Sequence, residues 1–153
     1  MNAAKMIRAA LVFGATLISF TAPALATQTK VIASCYGEHH GSYLKLRDVY
    51  GSEGLAQTVI TVTTDNEEAP PRFFVIEEVS KNFQPLQPKA FSWAIRQAIK
   101  ASAANEWYGY VKVRALDSNG VVLYLNLQKY TGFANALVID GNVEQLTCNL
   151  VEG

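Results

Sequence analysis

Apolar and polar side chains alternate with period two through most of this chain, and the pattern breaks once. Residues 30–36 and 42–50 alternate as half-buried strands do, with Leu44 and Leu46 on one side and Lys45 and Arg47 on the other. A β-branched run over residues 58–64 predicts a third strand. Residues 72–80 predict a fourth, with Phe73, Val75 and Val79 on one face and Phe74 and Ile76 on the other. Two apolar faces imply that one of them packs against a helix or a second layer.

The period then changes. Phe91, Ala94, Ile95, Ala98 and Ile99 fall at i, i+3, i+4, i+7 and i+8, a helical stripe without a miss. Pro88 suits a first helical turn, where its missing N–H would be unpaired anyway. The helix is expected over residues 88–106, up to Glu106, and Gly109 marks the return to strand. Residues 110–116 and 121–129 flank Asp117-Ser118-Asn119-Gly120, and residues 134–139 and 143–150 flank Asp140-Gly141-Asn142. Both connections are hairpin signals, because Asn-Gly and Asp-Gly reach positive φ at little cost. Leu123, Leu125 and Leu127 form an inward row, and Cys148 shares a face with Leu146 and Leu150. The pattern predicts a mainly β fold, a small antiparallel barrel or sandwich of seven or eight strands with one inserted helix.

One segment is excluded from that fold. Residues 1–26 have the form of a secretory signal: Lys5 and Arg8, an apolar run over residues 9–20, and a close on Pro23-Ala24-Leu25-Ala26. Cleavage after Ala26 leaves residues 27–153 as a single β-rich domain, exported to a periplasm or secreted. Export makes sense of the two cysteines. An even pair in an oxidising compartment predicts one disulfide, Cys35 to Cys148. Such a bond closes a long loop, stabilises by about 4–5 kcal/mol on the chain-entropy model, and needs the first and last strands side by side. Ile32-Ala33-Ser34-Cys35 also resembles the lipobox of bacterial lipoproteins. Lys30 interrupts the apolar run that a lipobox should close, and acylation would strand Cys148, so anchoring at Cys35 is disfavoured.

Charge narrows the partners. Without Lys5 and Arg8 the chain carries 11 basic and 13 acidic side chains, a formal charge of −2. That balance argues against a nucleic-acid binder, which needs a concentrated basic footprint. No second apolar run approaches the roughly 20 residues needed to span a bilayer. The expected partner is a protein or a small apolar ligand.

Candidate chemistry is sparse. Glu38, His39 and His40, near Cys35, are the one cluster that resembles a metal-ligand set. Adjacent strand residues point to opposite faces, so the plainer reading is a polar hairpin tip. The chain has no Gly-x-Ser-x-Gly elbow, its two histidines are adjacent, and nothing implies a cofactor. Enzyme activity is unsupported; a hydrolase with a dispersed site is the most that remains. The helix carries a sharper anomaly. At 100° per residue Trp93 falls opposite the apolar stripe, near Lys89, Arg96 and Lys100, where an indole could meet a partner or an anionic surface. Tyr108, Tyr110, Tyr124, Tyr130 and Phe133 concentrate further aromatic area in the C-terminal hairpins, with Tyr110 and Tyr124 as candidate cross-strand neighbours.

The layout loosely resembles small periplasmic lysozyme inhibitors, which are exported β-barrels with terminal cysteines. The resemblance covers architecture alone and carries no site residue across. The leading expectation is therefore an exported, non-enzymatic binding protein, inhibitor-like in kind, acting through loops and one exposed face. The alternative is a carrier holding a small apolar molecule against Leu123, Leu125, Leu127, Phe73 and Val75.

Overall fold

Nine strands and one helix follow the predicted pattern closely in a computed structural model that describes residues 28–38, 41–128 and 134–151. The strands are β1 (Gln28–Gly37), β2 (Tyr43–Gly51), β3 (Gly54–Thr63), β4 (Arg72–Lys81), β5 (Gln84–Pro85), β6 (Val111–Leu116), β7 (Val122–Leu127), β8 (Asn135–Ile139) and β9 (Asn142–Leu150). A 3-10 turn (Pro88–Ala90) leads into the helix α1 (Phe91–Ala103). The residues expected to form a signal peptide lie outside the described residues, as do His39, His40, Tyr130 and Phe133.

The sheet order β3-β2-β1-β9-β8-β7-β6-β4 closes on itself through β3–β4, giving an eight-stranded antiparallel barrel with the helix between strands. Of the two architectures the pattern allowed, this is the barrel. Two-residue β5 pairs only with the end of β4.

Inward rows are set by register. Leu46 lies opposite Ile60 and Ile60 opposite Phe74, while Val113, Leu125 and Leu137 line up across β6, β7 and β8. All six side chains are buried in one apolar cluster, so large aliphatic side chains fill the barrel, as a barrel of this size permits. Cys35 and Cys148 face each other across β1 and β9 with Cα atoms 4.0 Å apart and form the expected disulfide over a sequence separation of 113. That bond occupies the sulfur an acyl chain would need, and the lipobox-like tetrapeptide lies inside β1.

The face assignment in β4 is corrected. Register shifts between Ile76 and Glu78, so Glu77 is an extra residue and the strand changes parity there. Phe74, Ile76 and Val79 are buried, whereas Phe73 (58% exposed) and Val75 lie on the outer surface. Phe73 and Val75 therefore cannot line a cavity with the three buried leucines of β7. A bulge of this kind bends a strand and helps close a barrel.

One end of the barrel is knitted by its turns. Arg72 Nη1 donates to Asp140 Oδ2 (2.7 Å) and Arg72 Nη2 to Asp117 Oδ2 (3.4 Å), joining the start of β4 to the β6–β7 and β8–β9 turns. Asp117 Oδ1 also accepts the N–H groups of Asn119 and Val121, each at 2.8 Å. These contacts hold the Asp117 carboxyl below the usual carboxylate range, the Val121 N–H most of all, with Asn119 and Arg72 adding to it.

The helix covers the other end, contacting β1, β4, β6, β7 and β9. Its stripe is buried as predicted. It stops three residues earlier than expected, because Asn105 adopts φ +58° and caps it. Glu106 N–H bonds Ala101 O (2.7 Å) and Asn105 N–H bonds Ser102 O (3.1 Å), satisfying carbonyls of the last turn.

Candidate functional site

Asp48 shares inward parity with Leu44 and Leu46 and is only 1% exposed. A buried carboxylate needs partners, and Asp48 has them. Its Oδ1 accepts Thr58 Oγ1 (3.0 Å); its Oδ2 accepts Ser92 Oγ (2.8 Å), the Tyr50 hydroxyl (3.3 Å) and Arg96 Nη2 (3.5 Å). Ser92 and Arg96 belong to the first two turns of the helix, where the macrodipole also favours a negative charge. Asp48 thus latches the helix onto β2 and β3. Arg96 was expected on a free basic face; the structure turns it inward to this latch instead.

Trp93 does face outward. It is 58% exposed and meets Tyr108 edge-on, with ring centroids 6.3 Å apart. Lys81 Nζ lies 3.8 Å from the Tyr108 centroid, a close cation–π contact. Lys89 and Lys100, from the segments flanking Trp93, are exposed as expected. Trp107, 51% exposed, adjoins this group in the chain.

The β4–β5 hairpin extends the aromatic group. Lys81 pairs with Gln84, so Asn82 and Phe83 form a two-residue turn, with φ of +50° and +69°. Positive φ at both positions is the type I′ pattern, in which glycine usually stands second. Phenylalanine in this backbone region costs about 1–2 kcal/mol. The ring is nevertheless held outward, 77% exposed, against Tyr110 at 5.3 Å. Two bonds fix the hairpin to the chain before β6: Asn82 N–H to Tyr110 O (2.8 Å) and Tyr110 N–H to Asn82 Oδ1 (2.9 Å). Gly109 permits this approach, because a Cβ there would come within 2.8 Å of Lys81 Cε.

Phe83 and Pro85 also wall a shallow groove of about 450 Å³ floored by Glu78, Ser80, Lys112, Arg114 and Tyr124. Lys112 Nζ lies 4.6 Å from the Tyr124 centroid, and Arg114 pairs with Glu77 at 3.3 Å. Tyr124 stands opposite Arg114, not Tyr110, whose hydroxyl instead donates to Asn126 Oδ1 (3.2 Å). The expected Tyr110–Tyr124 pairing does not form, because the ladder sets Tyr124 against a residue four positions along from Tyr110. These groups make a rim at the helix-covered end and the adjoining outer wall in which Phe83, Trp93 and Trp107 are exposed and the tyrosines and Lys81, Lys112 and Arg114 half-exposed.

Cys35, the neighbour of the expected Glu38, His39 and His40 metal set, is in the disulfide and cannot add a ligand to it. Glu38 accepts a hydrogen bond from Thr147 Oγ1 (3.0 Å). Among the described residues no group of three His, Cys, Asp or Glu side chains could hold a metal ion. His39 and His40 lie outside the described residues.

Sequence reasoning singled out Trp93, which is exposed as expected, and passed over Phe83. The available signal was Asn82, a residue at home with positive φ, just past the fourth predicted strand, but no glycine follows it to mark a turn. Comparison of the chain with family models, with curated proteins and with solved structures gives no match, so the reading of this rim rests on its own residues.

Proposed function

We propose that this is an exported, non-enzymatic binding protein whose working surface is the aromatic and cationic rim around Phe83, Tyr110, Tyr108 and Trp93. The observation that carries the reading is Phe83. A bulky ring at positive φ persists only when its surroundings over-determine it, and such outliers cluster at binding and catalytic sites. Exposed Trp, Tyr and Phe are also the residues that dominate recognition surfaces. The filled barrel favours an outer surface over an interior carrier pocket, and the disulfide is compatible with an oxidising compartment.

A photo-crosslinking amino acid placed at Phe83 or Trp93 should give protein or lipid adducts in the native compartment, identified by mass spectrometry. The same group at Val143, exposed at the far end, should give none. Equal labelling at all three positions, or none at any, removes the reading.

A further inference from the structure

The charges of the two barrel ends differ in sign. Residues 79–105 contain Lys81, Lys89, Arg96 and Lys100 and no acidic residue. Arg96 is matched by Asp48. Among the described residues at the helix-covered end, Lys30, Lys81, Lys89 and Lys100 still outnumber the exposed Glu38, Glu53 and Glu106. At the opposite end the loops and turns carry Asp65, Glu67, Glu68, Asp117 and Asp140 against Arg72. Near-neutral net charge thus hides a dipolar molecule, and a dipole orients a protein before contact.

The aromatic side chains at the basic end are of the interfacial kind. Phe83 projects from a hairpin tip, and Trp93 and Trp107 are both about half exposed. The ring arrangement argues against a stacking ligand. Lys81 and Lys112 lie over the faces of Tyr108 and Tyr124, and Trp93 and Phe83 meet their neighbours at 73° and 59°. No pair of parallel rings in these contacts offers a slot for a nucleobase or a sugar. Convex apolar tips ringed by lysines suit a deformable anionic surface, in which Trp takes up headgroup depth and each lysine is drawn to the negative potential.

We infer that the helix-covered end docks peripherally on an anionic phospholipid bilayer, with Phe83 and Trp93 entering the interface and Lys81, Lys89 and Lys100 facing lipid phosphates. This rests on the rim being the working surface and names what that surface meets. It involves no spanning segment, in keeping with the absence among the described residues of a helix long and apolar enough to cross a membrane.

Both tryptophans of the chain, Trp93 and Trp107, lie at this end, so intrinsic emission reports on it selectively. The disulfide-bonded exported protein is titrated at low salt with vesicles of equal parts phosphatidylglycerol and phosphatidylcholine, and with pure phosphatidylcholine vesicles. Expected are a blue shift, quenching by brominated acyl chains and co-sedimentation with the anionic vesicles alone. The double variant Lys89→Glu/Lys100→Glu should weaken partitioning by roughly ten-fold or more. Phe83→Gly should weaken it by about ten-fold, with thermal stability unchanged or raised, because glycine fits the turn. The inference falls if anionic vesicles are not bound, if both vesicle types bind alike, or if a peptide of alternating Glu and Phe binds while vesicles do not. In the last case a discrete protein adduct at Phe83 would leave the binding-surface reading standing.

Discussion

Two hairpin turns of the same geometry, at opposite ends of the barrel, are built from different residues. Asp140-Gly141 joins β8 to β9 with Ile139 opposite Asn142 and φ of +54° and +78°. Asn82-Phe83 joins β4 to β5 with Lys81 opposite Gln84 and φ of +50° and +69°. In the first, glycine makes the turn cheap, and Asp140 is used to tie Arg72 down. In the second, a phenylalanine accepts backbone strain and presents its ring to solvent. The same contrast holds for the ends as wholes. The turn end neutralises Arg72 with carboxylates and satisfies its backbone locally, whereas the helix end draws Arg96 in to buried Asp48 and exposes rings and lysines. Stability is the simplest account of the first arrangement; it does not explain the second.

Four experiments test this contrast, from the largest expected effect downward. Removing the disulfide with Cys35→Ala/Cys148→Ala should weaken both ends together, lowering unfolding free energy in denaturant by about 2–5 kcal/mol. A loss confined to one end, seen by hydrogen exchange, would show that the ends are less coupled than the closed sheet implies. Asp48→Ala should act on the helix end alone. It leaves Ser92, Thr58 and Arg96 without their acceptor and should cost about 2–4 kcal/mol, below the figure for a fully buried pair because Arg96 is one-third exposed. Exchange protection should fall in the helix and persist in the β6–β7 turn.

The turns can then be interchanged. Nothing lies within 4 Å of a Cβ built on Gly141, so Gly141→Phe meets only the backbone penalty, about 1–2 kcal/mol. Phe83→Gly relieves the same penalty but loses a ring contact worth about 0.5–1.5 kcal/mol, so thermal unfolding should show little change or a small gain. A large loss on Phe83→Gly would make the ring a structural element and end its use as a functional signal.

The smallest effect concerns acid. The Asp117 carboxyl is held below its usual value, chiefly by the Val121 N–H. A depressed folded pKa means that its stabilisation is fully present above the unfolded carboxylate value, about 3.9, and is lost as pH falls through the lower folded value. Below about pH 4 amide exchange should accelerate in residues 116–122 while the hairpin at Phe83 is unaffected. In Asp117→Asn that acid sensitivity should disappear.

Period-two alternation placed seven strands within two residues of their observed bounds, the β-branched run found β3 but missed its first four residues, and the helical stripe was right at every position. The residues that define the rim were harder to read. The β4 bulge is one extra residue with no composition signal, so simple parity grouped buried Val79 with Phe73 and Val75, which lie on the outer surface. Arg96 lies on the polar side of the helix wheel, yet its guanidinium reaches Asp48, a residue 48 positions earlier that no local pattern pairs with it. Phe83 was hidden because a turn rule names the cheap residue, and this turn uses a costly one.

The sequence by itself determined the β period, the single helix and the pairing of the only two cysteines, because these follow from local geometry and simple counting. Tertiary structure alone decided that the sheet closes into a barrel, that a carboxylate inside it anchors the helix, and that lysines and aromatic rings gather at one end. Those outcomes depend on strand order, and strand order brings together residues that no window of the sequence contains.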